Sequence, residues 1–214
     1  MDLMAIYNRL LSYFGPQGWW PAETPYEVVV GAILTQNTSW RNVERAIDNL
    51  RRYNLLDEEK ILDTSIEVLK DLIRVAGFYN IKSRRLKNIT EYIVKNYTST
   101  EGLKKCNKDL YNLREELLSI KGVGRETADT ILLYSLERPI FVVDNYTRRI
   151  LSRWGIVEEN LDYDRIRTLF ESNIPRDIEI YKEYHALIVQ LGKTFCRKRR
   201  PRCEECPLMK ICRS

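Results

Sequence analysis

Four of the chain's five cysteines fall in its last nineteen residues, as Cys196, Cys203, Cys206 and Cys212, a C-x6-C-x2-C-x5-C pattern set among Arg197, Lys198, Arg199, Arg200 and Arg202. Thiolates at this density, two of them at C-x2-C spacing, have the donor chemistry to close on one tetrahedral zinc or on the four corners of a 4Fe-4S cluster. Disulfides are the weaker alternative. They belong to secreted, loop-rich mini-domains, whereas this chain has 214 residues and opens without a charged-then-apolar leader.

A second grouping lies mid-chain, Leu117-Leu118-Ser119-Ile120-Lys121-Gly122-Val123-Gly124-Arg125-Glu126-Thr127-Ala128-Asp129. Two glycines flanking one aliphatic residue let the backbone reverse tightly between helices, with no side chain to block a close approach. Amides at the start of the following helix, reinforced by its dipole, suit an anion such as a phosphate. Gly-x-Gly alone is weak, since any helical hairpin can use it; the apolar Leu117, Leu118, Ile120, Ala128, Ile131, Leu132 and Leu136 around it supply the context.

The elements that must position these groups read as helical almost throughout. Thr24-Pro25-Tyr26-Glu27 joins a capping box to proline at the first helical position and opens the apolar run Val28 to Leu34. Ser39 is placed to cap a helix whose inner face is Val43, Ala46, Ile47 and Leu50. Helical periodicity recurs near 66–75, 82–97, 108–120, 127–136, 146–154, 164–173 and 181–195, with Gly77 and Gly155 as stops. Phe141-Val142-Val143 reads as a buried connector ahead of a helix capped by Asp144. No strand alternation and no internal repeat is visible, so the fold class is all-α. No apolar stretch approaches the roughly 18 residues needed to cross a bilayer, and a cytoplasmic protein, nucleoid-associated if prokaryotic, is expected. Net charge is +5. Residues 193–214 hold eight basic and two acidic side chains, leaving the rest close to neutral, so the positive charge is concentrated on the cysteine loop, where it suits a polyanion or serves as a solvated tail.

Three motifs in this order resemble the helix-hairpin-helix DNA glycosylases of the endonuclease III superfamily: Leu34-Thr35-Gln36-Asn37-Thr38, then Ile120 to Ala128 followed by Val142-Val143-Asp144-Asn145-Tyr146-Thr147-Arg148-Arg149, then the terminal cysteine loop, whose spacing is the family's 4Fe-4S signature. The resemblance spans essentially the whole chain. It implies a six-helix barrel over about residues 22–137, with the helix-hairpin-helix motif at about 113–130. A discontinuous second helical domain would come from residues 1–21 and 138–214 and carry the cluster loop 196–212. Acting as a monomer, the protein would take double-stranded DNA containing damaged bases as its partner, gripped through Gly122, Val123, Gly124, Arg125 and the basic Arg197, Lys198, Arg199 and Arg200, with Gln36 at the position that enters the gap left by an extruded base.

The chain departs from the bifunctional members at the reactive position. Those carry a lysine directly after the hairpin's final Gly-Arg, where its amine attacks the sugar C1′; here that place holds Glu126, which cannot form an imine. Asp144, eighteen residues later, is retained. A carboxylate at a helix N-terminus is favoured in its charged form and suited to stabilising an oxocarbenium ion or activating water. Its bland alternative is a plain N-cap worth about 1 kcal/mol. Monofunctional base excision follows as the expectation. Trp19-Trp20-Pro21 and Trp40 bracket the Gln36 segment and are similar to the 3-methyladenine glycosylase branch, in which aromatic rings sandwich a flipped purine. An alkylated purine is electron-poor, stacks well on indoles and leaves with little acid assistance. Trp19 and Trp40 would form the sandwich, with Trp20 and Pro21 shaping the wall, unless these tryptophans are core. His185, the only histidine, reads as packing or a hydrogen bond at the domain junction, and Cys106 as a small buried or half-buried thiol.

Two other classes stand beside this expectation. Tryptophans buried in the core would favour excision of oxidised pyrimidines or mismatched thymine on the same fold, with or without lyase chemistry. A colourless protein holding stoichiometric zinc would favour a non-enzymatic DNA-binding module with a structural staple, since 4Fe-4S protein is brown.

Overall fold

A computed structural model describes residues 2–212, and among them no strand occurs. The chain divides into two compact units, one from residues 1–21 and 139–214 and the other from residues 22–138.

The continuous unit is built around α2 (Pro25–Leu34), of which every residue from Tyr26 to Leu34 is buried. A helix apolar on all sides needs neighbours on all sides. α3 (Trp40–Arg52), α6 (Tyr79–Tyr97), α7 (Thr100–Lys105) and α9 (Arg125–Thr130) supply them. α2 starts as its sequence dictates: Pro25 occupies the first turn and Thr24 Oγ1 accepts from Glu27 N at 3.1 Å. Its buried Glu27 is paired with Arg51 on α3 at 2.6 Å. Ser39 occupies the N-cap of α3 but its hydroxyl makes no cap bond. Two short helices, α4 (Glu58–Asp63) and α5 (Ile66–Leu72), complete this side, capped by Asp57 and Ser65. A 3-10 turn, Arg74–Ala76, ends at Gly77 with φ 69°. α8 (Leu110–Ser119) and α9 form the hairpin, and α9 runs on through a π-helical turn, Ile131–Ser135, so the expected helix over 127–136 is continuous but widened at its end.

The discontinuous unit holds α1 (Leu3–Phe14), α10 (Asn145–Arg153), α11 (Tyr163–Asn173) and α12 (Ile178–Thr194). Its core is aromatic: Phe141 stacks on Phe170 at 3.9 Å between centroids, and Tyr181 and Tyr184 meet Phe141 edge-on. Tyr184 also donates its hydroxyl to Leu3 O at 2.9 Å, which ties α12 to α1 across the gap in sequence. Ile140 to Val143 run without regular structure, each at most 1 % exposed. Packing therefore fixes this connector, and it delivers Asp144 to the start of α10.

Candidate functional site

Asp144 is the N-cap of α10. One carboxylate oxygen, Oδ1, accepts from Thr147 N at 2.7 Å and from Thr147 Oγ1 at 2.9 Å. Oδ2 stands 3.7 Å from His185 Nε2, on α12. Burial by itself pushes this carboxyl up, but the His185 imidazole and the two Thr147 donors outweigh it, and Asp144 titrates below the ordinary carboxylate range. The group is therefore ionised at neutral pH although only its edge reaches solvent, the side chain being 12% exposed. Because folding favours the charged form, its contribution to stability is complete above the ordinary carboxylate pKa and disappears as pH falls through the lowered value. His185, expected from sequence to do no more than pack or bond at a junction, is a member of the site. Replacing it with leucine removes the largest lowering influence and leaves burial in place, so the acidic limb of any activity that needs ionised Asp144 moves to higher pH. A pH–rate profile of His185→Leu checks this, and an unmoved limb contradicts it.

α10 also organises the cysteine loop. Arg149 donates to Cys196 O at 3.0 Å and to Gly192 O at 3.3 Å. Arg153 donates to Cys196 Sγ at 3.3 Å, Arg197 O at 2.8 Å and Lys198 O at 3.1 Å. Gly192 is required where α12 crosses Tyr146, because a Cβ there would lie 2.3 Å from the Tyr146 ring. The loop is closed by Arg202 N bonding to Phe195 O at 2.9 Å, and it leaves Arg197, Lys198, Arg199 and Arg200 exposed. Burial, and then the other cysteines of the loop, push the Cys206 and Cys212 thiols up. Four soft donors on one short loop, with an arginine aimed at one of them, have the donor chemistry of a metal-binding set. Among the described residues no three metal-ligating side chains are gathered as a closed cage.

Trp19 and Trp20 are half-buried and meet edge to face, centroids 5.6 Å apart, with the Lys193 ammonium 5.2 Å from the Trp19 ring centre. Pro21 beside them is exposed. Trp40 lies in the other unit, half-buried at the first position of α3. None of these three tryptophans is core. That role belongs to Trp154, 3 % exposed.

In the hairpin, α8 and α9 are stapled by a buried two-bond ion pair, Arg114 Nε to Asp129 Oδ1 at 2.6 Å and Nη2 to Oδ2 at 3.1 Å. Val123 turns inward, 7 % exposed, while Gly124, Arg125 and Glu126 are exposed at the start of α9. The two glycines have different reasons. Gly122 has φ 103°, and a Cβ on it would come within 2.3 Å of Arg85 Cγ; Gly124 is extended, and a Cβ there meets nothing within 4 Å. Gly122→Ala is therefore expected to destabilise the protein by about 1–3 kcal/mol, and Gly124→Ala to stay within about 0.5 kcal/mol of the parent. Urea midpoints check both, and equal losses would contradict the distinction.

Gln36, just past α2, is half-buried, and its amide is bonded on both sides: Nε2 donates to Gly122 O at 3.1 Å and Thr127 Oγ1 at 3.0 Å, and Oε1 accepts from Arg85 Nη1 at 2.5 Å. Sequence reasoning singled out Gln36 and the hairpin separately. Arg85, readable in sequence only as one of the basic residues Lys82, Arg84, Arg85 and Lys87 suited to helix packing and some backbone contact, is what joins them.

Residues 30–176 match the family described as "HhH-GPD superfamily base excision DNA repair protein". A protein of Methanocaldococcus jannaschii provisionally named as a DNA repair glycosylase is 61% identical over 98% of this chain and 94% of its own. Endonuclease III of Sulfolobus acidocaldarius is 29% identical over 88% of this chain and 81% of its own. Among solved structures, the H. pylori 3-methyladenine DNA glycosylase bound to 1,N6-ethenoadenine is 30% identical with a TM-score of 0.78, covering 90% of this chain and 98% of that one. An endonuclease III–DNA complex superposes with a TM-score of 0.83 at 21% identity, over 99% of this chain and 94% of that one, a likeness of fold.

Proposed function

The chain belongs to the HhH-GPD superfamily of base excision DNA repair proteins, and from that premise we propose that it is a monofunctional DNA glycosylase that hydrolyses the N-glycosidic bond of alkylated purines such as 3-methyladenine. The observation that carries the reading is Asp144, a half-buried carboxylate kept ionised by His185 and Thr147, in a chain whose hairpin carries Glu126 where the bifunctional relatives carry lysine.

In this mechanism the hairpin backbone around Gly122 to Arg125 and the exposed Arg197 to Arg200 bind duplex phosphates, which position the protein without reading sequence. The damaged purine leaves the stack and is held by stacking on indole, for which Trp19, with Trp20 and Pro21 beside it, and Trp40 are the candidate rings. Positive charge develops on the sugar as the base departs. Asp144 Oδ2 stabilises that charge and orients the water that attacks C1′, while Oδ1 stays occupied by Thr147 and fixes the carboxylate's direction. Glu126 offers no amine, so the strand remains intact at the abasic product.

Cys196, Cys203, Cys206 and Cys212 would hold a 4Fe-4S cluster, which when bound supplies a rigid anchor for the basic loop. Support for it comes from the spacing, the donor chemistry and the Arg153 bond to Cys196.

Borohydride trapping tests the lyase part directly. Wild type is expected to give no covalent complex with abasic or alkylated duplex, and Glu126→Lys, which supplies an amine at the start of α9, is expected to give one. A trapped wild-type complex would overturn the monofunctional assignment.

A further inference from the structure

We propose that one face of α6 acts as the registration element of the DNA-facing loops, with Lys82, Arg85 and Asn88 as positioning residues that hold the Gln36 turn, the Phe78 turn and the hairpin in fixed relation. The three residues stand at i, i+3 and i+6 and so project from one side of the helix. Each reaches a different segment. Lys82, 1 % exposed, donates to Leu34 O at 2.8 Å and to Ala76 O at 2.7 Å. Those carbonyls end α2 and the 3-10 turn, the points from which the Gln36 and Phe78 turns depart, and a cation at the C-terminus of α2 also meets the negative end of that helix's dipole. Arg85 donates to Gln36 Oε1 at 2.5 Å, and its side chain packs in the space that only a glycine at position 122 leaves open. Asn88 donates to Lys121 O at 3.1 Å.

The arrangement is costly, which argues for a purpose. Burial, and then Arg85 one turn on, push the Lys82 ammonium down to about 8. The other charged side chains on the two elements that it caps are paired elsewhere, Glu27 with Arg51 and Arg74 with Asp71. Meanwhile the turns that α6 secures carry backbone in the left-handed region, Asn37 at φ 54° and Phe78 at φ 47°, and Phe78 is 62 % exposed. Strained, exposed turns anchored from beneath are what a rigid DNA-deforming surface requires. Arg85 thus serves Gln36 rather than a phosphate.

The functional arm of the test rests on the glycosylase reading above; the exchange arm does not. Arg85→Leu, Asn88→Ala and the neighbouring Arg84→Leu, which removes the same charge from the same helix, are compared with wild type. One arm is amide hydrogen exchange in the segments 36–38 and 121–124. The other is affinity for an intact duplex against one containing a tetrahydrofuran abasic analogue. Arg85→Leu is expected to speed exchange in both segments, to leave intact-duplex affinity close to that of Arg84→Leu, and to lose about tenfold in preference for the tetrahydrofuran duplex, the equivalent of one charge-assisted hydrogen bond. Asn88→Ala is expected to speed exchange in 121–124 alone. Unchanged exchange in Arg85→Leu and Asn88→Ala, or an Arg85→Leu that weakens both duplexes in proportion as Arg84→Leu does, would overturn the proposal. A wild type without preference for the tetrahydrofuran duplex would instead count against the glycosylase reading, leaving the exchange arm to decide registration.

Discussion

Asp144→Asn is expected to fold as the parent does and to lose base release by about 10²- to 10⁴-fold, the range for removing a positioned acid–base or charge-stabilising group. Asparagine is as good an N-cap as aspartate, so the amide can keep the bond from Thr147 N that Oδ1 accepts at 2.7 Å. What it lacks is negative charge. The loss should appear in the single-turnover rate and leave the affinity for undamaged duplex intact, because phosphate contacts are assigned to the hairpin and the basic loop. Retention of base release within a few-fold would return Asp144 to the role of a helix cap.

Trp19→Ala and Trp40→Ala form the second large prediction. Each should reduce kcat/KM on alkylated duplex by the loss of base–aromatic stacking, about 1–3 kcal/mol per base. Trp154→Ala provides the contrast. Its ring is 3 % exposed, so truncation should cost about 3–5 kcal/mol of stability, whereas the half-buried Trp19 and Trp40 should cost much less. A Trp19→Ala or Trp40→Ala variant that unfolds as Trp154→Ala does, or that excises at the wild-type rate, would remove the stacking role from that ring.

How much was legible in sequence varied with the range of the interaction. α2 announces itself through Thr24, Pro25 and nine consecutive buried residues from Tyr26 to Leu34, and α10 through Asp144 and its amphipathic face. α4 and α7, of six residues each, are too short to show a period, and their signals were caps alone, Asp57 and Ser99. The all-α class and the superfamily were readable because three motifs stand in order, each defined by near neighbours in the chain. Partners brought together by tertiary packing were not. His185 reaches Asp144 from another helix, and Arg85 reaches Gln36 across 49 positions. Nothing in local spacing marks a half-buried arginine on α6 as different from the exposed Arg84 beside it. The one clue lay in Gly122, whose need to be glycine is set by the Arg85 side chain and not by the turn alone.

The central claim is excision of alkylated purines with the strand left whole, and the most direct measurement is chromatographic identification of the bases that wild-type protein releases from methylated duplex DNA, run beside duplex containing oxidised pyrimidines or mismatched thymine. Free methylpurines from the first substrate, with little release from the others, is the predicted result. Release of oxidised pyrimidine or thymine without methylpurine would contradict the account.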